Sequence, residues 1–329
     1  MFKKIRDRQV NMFETHVEDL VRSNHPYRKL LKILDLKQLC EPLQCLLNKN
    51  KGCPGYNIES GFAGLILQWM EDLSDRELER FLQENNSGKY FCGFSLKEKT
   101  PDHSYFSVLR KKIGTERLAT IFNMIVRKLK ENKLVSNVFT FVDASKLISK
   151  AALWEERDRA ISQGMEKLNN QNVKKVANDK QARYGCKGKD NYWFGYKRNV
   201  AVCMKQGFIT KVAITPANIT DSKALNHICP RGGAVFADKG YADKNAFKIL
   251  KKNRCENKII FKNNMINKDY IRDARISKLR MPYESVFSKM SKKARYTGVA
   301  KNQFQGFMQA IAYNLKKLIR IAPPPLFST

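Results

Sequence analysis

The sequence predicts an α/β fold, a mixed sheet flanked by helices and preceded by an all-helical N-terminal domain. Three observations predict it. Apolar residues recur at helical spacing in the first part of the chain, as in Phe106, Leu109 and Ile113 followed by Leu118, Ile121, Phe122, Ile125 and Leu129. From Val138 onward, short apolar or alternating runs replace that pattern. Helical stretches separate these runs, giving the order strand, hairpin, helix, strand, helix, strand, helix. The boundary falls near Asn137, so residues 1–135 read as the helical domain and 136–329 as the sheet domain. A polar, charged insertion occupies about 150–190.

The elements follow in order. Ile33, Leu34, Leu36 and Leu39 begin the first helical pattern, and Gly52-Cys53-Pro54-Gly55 breaks it. Ser60 to Trp69 reads as an apolar helix. Ser74, with Glu77 three residues on, forms a capping box that opens a helix carrying Leu78, Phe81 and Leu82 on one face. This helix pair is either a structural hairpin or a DNA-binding helix-turn-helix. Val138–Val142 reads as a strand ending at Asp143. Trp193–Met204 and Phe208–Thr215 flank the turn Lys205-Gln206-Gly207 and read as an antiparallel hairpin. Asp221 reads as a structural cap for a helix over 222–228. A strand over 234–237, a helix over 242–252 and a short strand over 258–262 follow. A basic helical region runs to the end, where Pro323-Pro324-Pro325 stops the last helix. The stripe Phe304, Phe307, Met308, Ile311, Leu315 and Leu318 in that helix reads as core. Trp69 and Trp193 also read as core or interface, and Trp154 stands in the polar insertion.

Charge narrows the function. Among 329 residues there are 62 Lys and Arg against 31 Asp and Glu, a formal net charge of +31. Such an excess repels itself unless a polyanion is near, and nucleic acid is the simplest one. With 43% hydrophobic residues, a sizeable core is available. The longest apolar run, residues 62–67, is far short of a membrane span. The start, Met1-Phe2-Lys3-Lys4-Ile5-Arg6, does not read as a secretory leader. Eight scattered Cys without a C-x-x-C pair read as reduced thiols of a cytoplasmic protein. The four His do not cluster with them at zinc-ligand spacing.

Three acids stand out against this basic background. Asp143 and Asp238 each close a short apolar run, and Glu284 follows Pro282 in a basic helical stretch. They are too far apart in sequence to share one element. They meet only if adjacent strands present the aspartates at one sheet edge, with a helix packed across it. Grouped so, carboxylates suit Mg²⁺, with Mn²⁺ as a substitute, and two such ions about 3.5–4 Å apart serve phosphoryl transfer. Pro282 suits the first turn of a helix, which would put Glu284 at the positive end of the helix dipole. Tyr283, Phe287 and Met290 then share a face against the sheet. Residues 243–320 hold 20 Lys and Arg against 5 Asp and Glu. Arg280, Lys289, Lys292, Arg295 and Lys301 are the expected phosphate contacts of a DNA track.

At these residues the chain resembles bacterial insertion-sequence transposases of the DDE class, and the insertion sequence 5 type in particular. The resemblance rests on Leu73-Ser74-Asp75-Arg76-Glu77-Leu78-Glu79-Arg80, Tyr90-Phe91-Cys92-Gly93-Phe94 and Thr100-Pro101-Asp102-His103-Ser104 in the N-terminal part. It continues through Val142-Asp143-Ala144-Ser145, Phe194-Gly195-Tyr196-Lys197, Thr215-Pro216-Ala217-Asn218, Ala237-Asp238-Lys239-Gly240-Tyr241 and Arg295-Tyr296-Thr297-Gly298-Val299-Ala300-Lys301-Asn302. It implies a ribonuclease-H-like catalytic domain with Asp143, Asp238 and Glu284 as catalytic, metal-binding acids. It implies cleavage at element ends and attack of the freed 3′-hydroxyl on target DNA. The implied partners are double-stranded DNA, both terminal inverted repeats and target, and further copies of the chain in a homo-oligomer on DNA. The implied location is the bacterial cytoplasm, at the nucleoid. Around the glutamate the family has Tyr, two residues, Arg, three residues, Glu, six residues, Lys. Arg280 and Glu284 match, while Ser277 and Ser291 stand at the Tyr and Lys positions. A nuclease of the same fold, or a DNA-binding regulator without cleavage, are the alternative readings.

Overall fold

The computed structural model describes residues 15–46, 55–151, 170–171, 173–187, 191–266, 268–321, 323 and 325–326. Trp154 and most of the polar insertion lie outside the described residues. Two compact units are present, Met1–Asn132 with Ile311–Thr329, and Lys133–Ala310. Among the described residues no helix is long and apolar enough to cross a membrane.

The first unit is helical. α1 (Pro26–Ile33), α2 (Leu36–Leu39), α3 (Ile58–Met70), α4 (Asp75–Glu84), α5 (Asn86–Cys92) and α6 (His103–Glu131) follow in order. α3 is apolar on nearly every face and correspondingly buried, so it forms the middle of the unit. The capping box read from sequence opens α4. The Glu77 amide donates to Ser74 Oγ at 3.3 Å, and the Ser74 amide donates to Glu77 Oε2 at 2.7 Å. Leu78 and Leu82 are its buried face. Asp75 accepts from Gln68 Nε2 at 2.6 Å and from Arg110 Nη1 at 2.7 Å, which fastens α3, α4 and α6 through one carboxylate. The long amphipathic stretch is two helices, because the chain leaves helical geometry at Gly114.

The second unit is built on one mixed sheet. Its strands are β1 (Phe139–Ile148), β2 (Arg183–Lys187), β3 (Asn191–Cys203), β4 (Ile209–Pro216), β5 (Ala234–Ala237) and β6 (Glu256–Ile259). The order is β2-β3-β1-β5-β6, with β4 also on β3. β3 is antiparallel to β1 and β4, while β5 and β6 run parallel to β1. β5 is buried at every position, as a central parallel strand must be. The helical turn α7 (Val173–Val176) and the helices α8 (Asp221–Ile228), α9 (Lys244–Lys252) and α10 (Tyr270–Ser288) accompany the sheet, and α11 (Val299–Ile321) ends the series. One core cluster joins Val142, Ala201, Val235 and Ala237 of the sheet to Leu225, Ile228, Ala246 and Leu250 of α8 and α9.

The short strand read over 258–262 runs Glu256–Ile259, and β2 lies in the stretch read as an insertion; three further expectations change near the site. β1 does not end at Asp143 but runs to Ile148, because antiparallel pairing with β3 continues to Ile148↔Gly195. Only its parallel pairing stops early, at Phe141↔Phe236. Pro282 is not at a helix start. Asp269 caps α10 by accepting from the Arg272 amide at 3.0 Å, and buried Asp273 pins its first turn through Lys268, Arg272 and the Phe261 amide. Pro282 therefore lies inside the helix, exposed. Asp221 is the first residue of α8 rather than its cap, and Thr220 holds the cap position, its hydroxyl bonded to Ser222 Oγ at 3.1 Å and not to a helix amide.

Close backbone approach aligns β5 with β1. A Cβ on Gly233, where φ is +76°, would sit 1.8 Å from the Asn137 carbonyl oxygen. The two strands can meet only with glycine there. Gly233→Ala is expected to lower stability by about 3 kcal/mol or more, because both strain and backbone displacement follow. Urea denaturation of the purified variant measures this.

Candidate active site

β1 and β5 place the two aspartates. Their last parallel pair is Phe141↔Phe236, and Asp143 and Asp238 each stand two residues beyond it. Continuing that register sets them level on neighbouring strands. At Asp238 the chain leaves the sheet: its Oδ1 accepts from the Gly240 amide at 2.9 Å and caps the turn Lys239–Tyr241. Asp143 Oδ1 accepts from the Ala144 amide at 2.8 Å, on the strand stretch that β5 no longer covers.

The electrostatics follow from this juxtaposition. Burial pushes the Asp143 carboxyl up to about 7, and the neighbouring Asp238 charge adds to the effect. The Ala144 amide, Arg280 and Lys187 oppose it. Arg280 is buried rather than laid out on the surface. Its guanidinium lies 5.4 Å from the Phe141 ring centroid, and Nη2 is 3.8 Å from Glu284 Oε1. It links the acid-bearing face of β1 to α10.

Glu284 is placed differently from the aspartates. Tyr283 and Phe287 face Phe141, with ring centroids 6.3 Å away in each case, so that side of α10 packs on β1. Glu284 lies on the neighbouring, exposed side, toward the C-terminal end of the helix. The helix dipole does not favour an anion there. Among the described residues no three His, Cys, Asp or Glu side chains are grouped so as to hold a metal. The structure brings Asp143 and Asp238 together and leaves Glu284 outside, joined to them through Arg280.

Two carboxylates still fit a magnesium-type ion, which needs only one or two from the protein when phosphates and water supply the rest. All donors are hard oxygens. The buried hydroxyl of Tyr241 has no hydrogen-bond partner among the described residues, and the charges of both aspartates act on it. Lys289, Lys292 and Lys301 are exposed and Arg295 half-buried, all beyond the end of α10. Among the described residues the cysteines are free.

Sequence reading passed over Asp221, Lys197 and Tyr241. Lys197 Nζ donates to Asp221 Oδ1 at 2.8 Å and to the Ile219 carbonyl at 3.0 Å. The Asp221, Asp143 and Asp238 charges all act on the Tyr241 hydroxyl and, after burial itself, hold its pKa well above the usual tyrosine value. The signal in the sequence was Asp221 following a strand that pairs with β3.

Asp143 is more protonated folded than unfolded between pH about 4 and 7, so it makes stability fall as pH rises through that window. Asp143→Asn is expected to be more stable than the parent at pH 8 by about 1–3 kcal/mol, at about 1.4 kcal/mol per pK unit relieved. The gap should close toward pH 4. Urea titrations at several pH values check it.

Known proteins resemble parts of this chain. Residues 15–112 match the family model described as Transposase domain (DUF772), and residues 162–315 match the Transposase DDE domain. The second match takes in Asp238 and Glu284 and begins after Asp143. The transposase for insertion sequence element IS1106 of Neisseria meningitidis serogroup B is 31% identical over 151 residues, covering 42% of this chain and 52% of that protein. The chain thus spans about half the length of the curated relative it matches. No solved structure matches it significantly. The chain is thus similar over two separate stretches to transposase domains, the second of them a DDE domain, and in part to an insertion-sequence transposase.

Proposed function

We propose that the chain is a DDE transposase of the insertion sequence 5 type, which cuts DNA at the ends of its element and joins the freed 3′-hydroxyls to target DNA. The observation that carries this is the β1–β5 register, since Asp143 and Asp238 each stand two residues past its last pair, Phe141↔Phe236. The strand order supports a ribonuclease-H-like catalytic domain, with β1 to β4 joined by antiparallel pairing and β5 and β6 running parallel to β1.

Asp143 and Asp238 would hold divalent ions, Mg²⁺ or Mn²⁺, with Glu284 reaching in from α10. Bound there, such ions supply Lewis-acid activation of an attacking oxygen and neutralise charge on the phosphodiester. The protein's own groups do the rest. Arg280 balances the acids from α10. Lys289, Lys292, Arg295 and Lys301 bind backbone phosphates and orient the duplex across the site. The helical N-terminal unit binds the terminal inverted repeats, and pairing two ends requires more than one copy of the chain on DNA.

A supercoiled plasmid bearing element ends, incubated with protein and Mg²⁺, tests the proposal. Strand-transfer joints support it. Nicking alone identifies a nuclease, and a gel shift without cleavage identifies a DNA-binding regulator. Asp143→Asn is expected to reduce cleavage by about 10³-fold or more while end binding persists, since it removes a metal-holding charge and leaves the fold. Loss of binding together with cleavage would make Asp143 structural. With four phosphate contacts, end affinity should drop about a hundredfold between about 50 and about 200 mM salt. Fluorescence anisotropy across a salt series measures it, and a flat profile would remove the basic track.

A further inference from the structure

Beside the aspartate pair lies a second, unassigned convergence of oxygens. A Cβ built on Gly240 would sit 3.0 Å from Asp238 Oδ1 and 3.3 Å from Asp221 Oδ2. The two carboxylates therefore flank one notch, which stays open because residue 240 has no side chain. Asp221 is fixed from behind. Its other oxygen accepts from Lys197 Nζ at 2.8 Å, and that ammonium is itself anchored on the Ile219 carbonyl. Tyr241 is wholly buried, its hydroxyl has no partner among the described residues, and the charges of Asp221, Asp143 and Asp238 all act on it.

A plain structural ion pair does not account for this. Lys197 satisfies one oxygen of Asp221 only, and the other is held beside a like-charged carboxylate, an arrangement that costs free energy in a half-buried place. An unbonded hydroxyl there adds a further desolvation cost. A cation with a water shell offsets both costs, because its waters donate to carboxylates and accept from a hydroxyl.

We infer that Asp221, set by Lys197, and Tyr241 are positioning residues that hold the water shell of a divalent, oxygen-preferring cation carried by Asp238 and Asp143, with the Gly240 notch as the space it occupies. This rests on the reading of the aspartate pair as a cation site. It adds a carboxylate and a hydroxyl outside the three acids already proposed.

Mn²⁺ binding to the full chain without DNA, followed by isothermal titration calorimetry, is the test. Outer-shell partners contribute about 10–100-fold to metal affinity. Asp221→Asn is expected to weaken Mn²⁺ binding at least about tenfold, and Tyr241→Phe by a smaller factor in the same direction. Gly240→Ala alters no charge and should weaken binding by filling the notch. Circular dichroism and melting of each variant separate lost affinity from lost fold. If Asp221→Asn fails to fold, Gly240→Ala and Tyr241→Phe decide. Unchanged Mn²⁺ affinity in those folded variants, with Asp238→Asn abolishing binding, overturns the inference and leaves the cation site standing. A parent chain that binds no Mn²⁺ removes both.

Discussion

The pairing register between β1 and β5 is the constraint on which the rest of the site depends. Side chains alternate across a strand, so a slip of one residue would turn Asp143 to the opposite face and away from Asp238. The register is held by the buried run of β5 against Thr140 and Phe141, by Phe139 packing on Phe236 at 5.8 Å, and by the glycine at 233. What it enforces is unfavourable on its own terms. Two carboxylates side by side, one of them largely shut off from water, raise each other's energy. Strand pairing and the burial of Val142, Val235 and Ala237 absorb that cost.

The helix that carries Glu284 is held by a different device. Arg198 of β3 is fully buried, and no carboxylate is bonded to it. Nη1 donates to the Ser291 carbonyl at 2.9 Å and to Gln309 Oε1 at 2.7 Å, while Nε and Nη2 have no partner among the described residues. Burial holds its pKa down at about 10. Ser291 lies three residues past the end of α10, and the neighbouring Lys292 carbonyl accepts from the Ile148 amide at 2.8 Å. The end of α10 is thus stitched to the far end of β1, and this fixes where Glu284 hangs. A buried guanidinium is an expensive fastener, since neutral groups of similar shape would hold the same segment with less desolvation.

Much of the fold was legible in the sequence. The change from a period of 3.6 to short apolar runs marked the start of the sheet, β5 was read at its observed bounds, and Ser74 with Glu77 announced α4. Tyr283 and Phe287 pack on the sheet as read, while Met290 lies beyond the helix end, buried. What stayed hidden was mostly long-range. Asp143 looked like a strand end because the apolar run stops there, whereas pairing with β3 needs no apolar residue to continue. Pro282 carries a strong local preference for a helix start, but a cap at Asp269 and the buried Asp273 overrode it. Asp221 was read as a cap because that is the usual duty of an aspartate at that spot, and nothing local reveals Lys197 across the sheet. Some residues that carry the family resemblance serve packing: Tyr196 donates to buried Asp179 at 2.6 Å and accepts from the Gly298 amide at 2.9 Å.

Pro282 has a mechanical consequence. With no N–H to give, it deprives the Lys278 carbonyl of its usual acceptor role in the helix ladder, and its ring crowds that turn. Compliance is therefore concentrated one turn before Glu284, while Tyr283 and Phe287 clamp the opposite side to the aromatic floor of β1. Such a helix yields by tilting its outer edge, so the acid farthest from the aspartates rides on the softest joint.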